Sequence, residues 1–485
     1  MKAAIVGGGV IGGGWAARFL LSGWDVAIAD PDPEAERKIG EVLANARRSL
    51  PSLYDTALPA EGNLTFHRTI AEAVEGADWV QESVPERLDI KAKVFAQILA
   101  AAPSDAVIGS STSGFKPSEL QDGLEDPSHI LVCHPFNPVY LLPLIEVVPS
   151  DATSAAITDR AMELLDAIGM KPLRVRKEID AHIADRFLEA VWREGLWLIK
   201  DGIATTEEID DAIRYGFGLR WAQMGLFETY RVAGGEAGMH HFISQFGPAL
   251  KWPWTKLMDV PELTDELVDQ IASQSDAQSG KHSIRELERI RDDNLVGILR
   301  ALKQTDWGAG ELLNQVDRNQ IEANLDGALD DEKRLITVRR AVPQSWTDYN
   351  GHMNETHYLE VFAQASDTLM EMIGADQAYI AGGQSYFTAE THIRHVDELI
   401  AGEAISVTTQ VLGGDGRKLH LFHTMLRADG AIAATGEHVL LHVDLSTRAV
   451  SQPGEEIKSA MAKVAKTQAK LPVPEGAGRF VGQKR

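Results

Sequence analysis

The 485-residue chain holds one cysteine, Cys133, so no intrachain disulfide can form and a reducing, cytoplasmic setting is expected. Nothing beside Cys133 marks a reactive thiolate, and its place in an apolar run reads as buried strand. Positive charge is scarce: 47 Lys and Arg face 71 Asp and Glu, a formal net charge of −24. Nucleic acids and anionic bilayers are held by clustered Lys and Arg, so neither is expected as a partner. No uninterrupted apolar run reaches the roughly 18 residues a membrane span needs. The N-terminus enters a motif directly, without a signal-peptide pattern, and no metal site is expected. What remains, 44% apolar and 24% charged residues, is an ordinary globular composition with room for two or three domains.

Ala3 to Val6 forms an apolar strand, followed by Gly7-Gly8-Gly9-Val10-Ile11-Gly12 as G-x-G-x-x-G. A helix over Trp15 to Leu21 and a strand over Asp25 to Ala29 follow, ending in Asp30. Gly7 allows the tight turn, Gly9 lets the backbone approach a pyrophosphate, and Gly12 allows close helix–strand packing. Val10 and Ile11 complete the loop, and the N-terminus of the helix after it faces the phosphates. Asp30 suits two ribose hydroxyls and repels a 2′-phosphate, which favours NAD over NADP. A flexible glycine loop is the plainer alternative, but strand, glycines, helix, strand and acid come in the right order.

The stretch Cys133 to Glu146 reads C-H-P-F-N-P-V-Y-L-L-P-L-I-E. His134 follows the strand Ile130 to Val132, and Glu146 lies in the next apolar run. An imidazole held by a carboxylate is a natural general base toward an alcohol; alone, the pair is equally compatible with a structural histidine. Between them in the βα alternation, the strand Ala106 to Ile108 leads into Ser110-Ser111-Thr112-Ser113-Gly114. Hydroxyls there either cap a helix or meet a substrate hydroxyl.

With these motifs in view, residues 1 to about 300 resemble the 3-hydroxyacyl-CoA dehydrogenase superfamily, in particular its carnitine 3-dehydrogenase branch, which shares the H-P-F-N-P-V-Y-L-L-P-L-x-E wording. The resemblance implies that His134 and Glu146 are catalytic, that Ser113 and Asn137 hold the substrate oxygen, and that Glu86 and Lys91 lie near the cofactor. It also implies a helical second domain that closes over substrate and forms a homodimer or higher homo-oligomer. Where the family has Asn-Arg, this chain has Asp185-Arg186. Asp185, Glu189 and Trp192 fall on one helical face; with Tyr140 they make a candidate cage for a quaternary ammonium, against the plainer reading of core aromatics.

After a polar, Gly-containing helical stretch the pattern changes to strands. Leu335 to Val342, a helix over Glu355 to Ile373, then Ser385 to His395, Ala404 to Leu412, Lys418 to Ala428 and Ala431 to Asp444 resemble a hotdog-fold thioesterase. The loop D-Y-N-G-H-M-N before the helix implies Asp348 as the catalytic carboxylate, with amides around Gly351 to Met353 polarising the thioester carbonyl. A turn and helix cap is the alternative. The expected architecture is an α/β Rossmann domain (1–180), an all-α second domain (181–305), a linker (306–332), an α+β hotdog domain (333–450) and a helical then disordered tail (451–485). The expected activity is NAD-dependent oxidation of L-carnitine joined to an acyl-CoA thioesterase acting on betainyl-CoA. The alternatives are a general 3-hydroxyacyl-CoA dehydrogenase with the same fusion, or a hotdog module that binds acyl-CoA without hydrolysis.

Overall fold

A computed structural model describes residues 1–54, 56, 58–233, 242–244, 255, 262, 264–326 and 334–479. By contacts the chain separates into two units, Met1–Ala46 with Ala60–Leu313, and Arg47–Pro59 with Asn314–Arg485. Among the described residues no helix is long and apolar enough to cross a membrane.

The first unit is built on an eight-stranded sheet. Its elements run β1 (Lys2–Val6), α1 (Val10–Leu21), β2 (Asp25–Ala29), α2 (Ala35–Ser49), β3 (Leu64–His67), α3 (Ile70–Val74), β4 (Trp79–Glu82), α4 (Leu88–Ala101) and β5 (Val107–Ser110). Then come α5 (Pro117–Gln121), β6 (Ile130–Pro135), β7 (Leu144–Val148), α6 (Ala155–Ala167) and β8 (Lys171–Arg174). The strand order is β3-β2-β1-β4-β5-β6-β7-β8, parallel throughout except that β7 runs antiparallel to β6. Reversal at β1/β4 creates the crevice where open α/β sheets bind ligands. The central strands are buried on both faces, as continuous apolar runs such as Ala3-Ala4-Ile5-Val6 demand. The first helix starts at Val10 rather than Trp15, so Gly12 lies within it. A Cβ on Gly12 would come within 1.8 Å of the Gly7 carbonyl oxygen, which is why helix and strand can pack there only without a side chain.

A helical region follows: α7 (Ala184–Lys200), α8 (Thr206–Ala212), α9 (Gly218–Ala233), α10 (Asp265–Ser279), α11 (Ile284–Gln304) and α12 (Ala309–Asp326). Helices start where hydroxyl caps are available: Thr205, Thr264 and Ser283 each accept an amide of the first turn. The 306–332 stretch, expected as a linker, is occupied by α12 as far as Asp326, where buried Asp317 accepts from the Thr56 hydroxyl at 2.8 Å. The acidic run after it, including Asp330, lies outside the described residues.

The hotdog part comprises β9 (Leu335–Ala341), α13 (Glu355–Met372), α14 (Gln377–Ala381), β10 (Gln384–His395), β11 (Ala404–Gly414), β12 (Lys418–Arg427), β13 (Ile432–Asp444), β14 (Ala449–Val450) and α15 (Glu455–Gln468). Strands order as β10-β13-β12-β11-β9, all antiparallel. The sheet wraps α13 through Tyr358, Val361, Phe362, Ala365 and Leu369. Gly436 permits this approach: a Cβ there would lie 2.7 Å from the Phe362 ring. The tail, expected to be disordered beyond its helix, instead stays on the sheet as far as Arg479. Gln468 bonds the Val411 amide at 2.8 Å, and the Gly478 amide donates to Glu437 at 2.8 Å.

Of the three buried histidines among this part's described residues, two, His423 and His438, pack against each other. His423 is fully buried between the hydroxyls of Ser366 (3.1 Å) and Thr409 (2.8 Å). His438, edge-on to it at 4.9 Å, has neither ring nitrogen bonded. Burial pushes His438 down to about 4, and burial with the neighbouring His438 pushes His423 well below the ordinary histidine value. The unfolded chain therefore binds protons there that the folded unit excludes. Stability is full above the unfolded value near 6.5 and falls with pH toward 4, by roughly 3 kcal/mol for His438. Amide exchange in β12 and β13 should accelerate across that window in the intact chain, and His438→Leu should flatten the response. Equal pH dependence in the variant would assign it to other groups.

Candidate active sites

The end of β6 and the middle of β7 face each other in antiparallel register, with His134 opposite Glu146. Antiparallel pairing is what sets the two side chains together: His134 Nδ1 lies 3.0 Å from Glu146 Oε2. Glu146 is fully buried, and its other oxygen accepts the amides of Ile183 (2.9 Å) and Ala184 (3.0 Å) at the start of α7. Burial works against ionisation, but the bonds from His134 and from the Ala184 and Ile183 amides outweigh it and hold the carboxyl below the ordinary glutamate value. With Nδ1–H donated to a carboxylate, Nε2 is the basic atom. It points toward Asp185, whose Oδ2 lies 3.5 Å away. Burial, eased by His134 and reinforced by Glu146, pushes Asp185 above the ordinary aspartate value.

Of the hydroxyls at and after the end of β5, Ser110 donates to Glu82 at 2.5 Å, and Ser111 joins Trp15, Gln81 and Ser83. Thr112 donates to Glu86. Ser113 is exposed, with no hydrogen bond to another described residue, and Asn137 is likewise exposed beyond His134. Lys91, buried, bonds Glu82 at 2.8 Å and Glu86 at 3.2 Å; Glu82, at the end of β4, escaped notice in the sequence. Tyr140 lies apart from this cluster: its hydroxyl donates to buried Asp292 of α11 at 2.8 Å, and its carbonyl is held by Arg18 of α1. Tyr140, expected to line a cage, is thus buried with its hydroxyl committed to Asp292. Glu189 and Trp192 share the Asp185 face of α7, and Trp192 is 64% exposed. His182, also not anticipated, stacks obliquely on His134 at 5.4 Å. Its only sequence signal is its place just before the helix that carries Asp185.

A cleft of about 850 Å³ runs over the glycine turn, lined by Gly7, Gly9, Asp30, Lys38, Arg68 and Ile90 among others. Gly9 has open space where its Cβ would project, and Asp30 accepts the amides of Gly8 and Asp32, which presents its carboxylate at the cleft. The residues present fit a dinucleotide: a glycine turn with room at Gly9, a helix N-terminus and a ribose carboxylate.

In the hotdog part, Trp346 stacks flat on His357 (4.6 Å, 5°) and beneath the Arg340 guanidinium (3.8 Å), which anchors the loop that follows. Asp348 Oδ1 accepts the Asn350 amide at 2.8 Å and the His352 amide at 3.4 Å, while Oδ2 has only a 3.5 Å contact with the Asn350 side chain. The amides of Gly351 to Met353, expected to polarise a carbonyl, are consumed locally: they donate to Asp348 O, Asp348 Oδ1 and Leu399 O. The helix begins later, at Glu355, with Asn354 as its cap.

Comparison with known proteins agrees with this geometry. Residues 2–179 match the 3-hydroxyacyl-CoA dehydrogenase NAD-binding domain, 182–272 its C-terminal domain, and 342–475 the thioesterase-like superfamily. A Ruegeria pomeroyi protein named L-carnitine dehydrogenase/betainyl-CoA thioesterase is 67% identical over 99% of both chains. A Pseudomonas putida L-carnitine dehydrogenase is 53% identical, covering 62% of this chain and 94% of its own. Among solved structures, FHMPC 5-dehydrogenase, an NAD+ dependent dismutase, superposes with a TM-score of 0.52 at 27% identity over 62% of this chain and 98% of its own. The chain binds NAD through a Rossmann domain, and it belongs to the family of two-part proteins named L-carnitine dehydrogenase/betainyl-CoA thioesterase.

Proposed function

We propose that the first unit oxidises L-carnitine to 3-dehydrocarnitine with NAD, and that the hotdog part hydrolyses betainyl-CoA to glycine betaine and CoA. The observation that carries the first reading is the Glu146–His134 pair, with His134 Nδ1 3.0 Å from Glu146 Oε2. His134 Nε2 takes the hydroxyl proton while Glu146 fixes the tautomer and supports the imidazolium. Bound NAD supplies the acceptor for the hydride leaving the carbinol carbon. Ser113 and Asn137, both exposed, hold the substrate oxygen. Glu86 and Lys91 shape the wall near the cofactor. In the second reaction Asp348 activates water or attacks the thioester through Oδ2, its less engaged oxygen. The engagement of Oδ1 in the turn favours one second reading, a hotdog module that binds acyl-CoA without hydrolysis.

The two activities separate by mutation. His134→Ala should lower carnitine oxidation by about 10²–10⁴-fold or more while leaving NAD affinity and thioester hydrolysis intact. Asp348→Asn should do the reverse. Retained hydrolysis in Asp348→Asn would move the thioesterase carboxylate elsewhere, and betainyl-CoA binding without turnover in the wild type would leave the binding module.

Asp185, Glu189 and Trp192 form the cation side of the substrate site, since a quaternary ammonium offers no hydrogen bond and is met by carboxylates and an aromatic face. Because Asp185 is raised above the ordinary aspartate value, its attraction for carnitine is present above that raised value and lost as pH falls through it. Asp185→Asn should abolish this acid limb of carnitine KM, and Trp192→Ala should weaken binding by up to about 30-fold. Equal efficiency with carnitine and uncharged 3-hydroxybutyrate in the wild type would exclude a cation site.

A neighbouring face of α7 leaves Phe187, Leu188 and Val191 exposed by 53%, 57% and 37%, which supports a homodimer through the helical region, while the single cysteine suits the cytoplasm. Leu188→Asp should convert the particle to a 53.0 kDa monomer by light scattering; an unchanged mass would place the interface elsewhere.

A further inference from the structure

The turn between β8 and α7 is strained where a strained turn is least expected. Ala181 and His182 both adopt left-handed backbone, with φ of 58° and 48°. For side-chain-bearing residues this backbone is unfavourable and persists only where surrounding bonds enforce it. The bonds are identifiable. The Ala181 amide donates to the Gly114 carbonyl at 3.2 Å, and His182 Nε2 meets the Thr112 carbonyl at 3.2 Å. These two carbonyls bracket Ser113. The next two amides, of Ile183 and Ala184, hold Glu146, and Asp185 then reaches His134 Nε2. Five consecutive residues thus tie the hydroxyl loop, the base and its carboxylate to the start of one helix.

We propose that His182 is a positioning residue for the oxidation, holding the Thr112 carbonyl through its Nε2–H and so setting the Ser113 hydroxyl against the His134 base. Facing a carbonyl oxygen, Nε2 carries the proton, which leaves Nδ1 bare; that atom is buried and has no partner. Burial, opposed by the Thr112 bond, holds His182 below the ordinary histidine value, so the ring is neutral in the working range. Neutrality matters because His134, Glu146 and Asp185 all face it. A proton on Nδ1 would place a second cation beside the imidazolium that forms during turnover, and would compete for the carboxylates that serve the base and the substrate.

The inference rests on the proposed carnitine oxidation, and the full chain tests it. Purified His182→Phe, which keeps a ring but loses the donor, should melt within about 5 °C of wild type. Its NAD affinity should hold while kcat/KM for L-carnitine falls about tenfold or more. His182→Gln, whose amide nitrogen can replace Nε2–H, should return to within about threefold of wild type. Because His182 acts through Ser113, adding Ser113→Ala to His182→Phe should cost several-fold less than the product of the single effects. Wild-type kinetics in His182→Phe, an equally poor His182→Gln, or fully multiplicative effects would each overturn the role. Should His182→Phe fail to fold, His182→Gln decides alone: near-wild-type turnover supports the role, and a tenfold loss ends it. A wild type that ignores carnitine would instead refute the proposed function, and the same variants would then be read with a 3-hydroxyacyl-CoA substrate.

Discussion

One buried carboxylate holds the dehydrogenase half together around its chemistry. Glu146 takes three N–H groups, from the His134 imidazole and from the amides of Ile183 and Ala184. A buried anion is tolerable only with such company, and its donors come from two other pieces of the fold. The imidazole comes from β6, the carboxylate from β7, and the amides from the first turn of α7. Their joint requirement fixes the antiparallel register at the sheet edge and docks the start of the helical region on the base. The helix N-terminus adds its own positive end to the same carboxylate. Removing the side chain would loosen His134 and leave the Ile183 and Ala184 amides without this acceptor.

The same economy shapes the surrounding polar groups. Arg18, buried on the helix that follows the glycine turn, bonds the carbonyls of Tyr140, Ile168 and Gly169, which couples the cofactor helix to the loop after the base. Tyr140 reaches Asp292 on α11 from that same loop. Glu82 and Lys91, both buried, neutralise each other beneath the hydroxyl loop. Of the four hydroxyls from Ser110 to Ser113, three are spent on this scaffold, which leaves Ser113 exposed. The hotdog part solves a different problem. Its core keeps His423 satisfied by hydroxyls and leaves His438 bare, which exchanges acid tolerance for a tightly wrapped helix.

Much of this was readable from residues alone, for local reasons. Glycines at 7, 9 and 12 act over one turn, Asp30 follows at a spacing set by strand and helix lengths, and His134 with Glu146 bracket a short connection between adjacent strands. Alternation along Ala404 to Leu412 and Lys418 to Ala428 carries strand and face together, because the side-chain period of a strand is two. Asp185, Glu189 and Trp192 were grouped by helical spacing, which is also a local rule.

What the sequence by itself determined was therefore the set of elements, the dinucleotide turn and the pairing of His134 with Glu146, all governed by contacts within a few residues or one strand pair. Tertiary structure alone decided where side chains with several possible partners commit themselves. Tyr140 has a ring suited to a cage, yet a carboxylate 152 positions away claims its hydroxyl. The Gly351 to Met353 amides resemble a carbonyl-binding helix start, yet a tight turn and the Leu399 carbonyl use them first. His182 carries no periodicity and no motif spacing, and only the meeting of β5, β6 and α7 gives it a place beside the base. Hydrogen bonds are short-ranged in space but indifferent to chain separation, so such assignments wait for the fold.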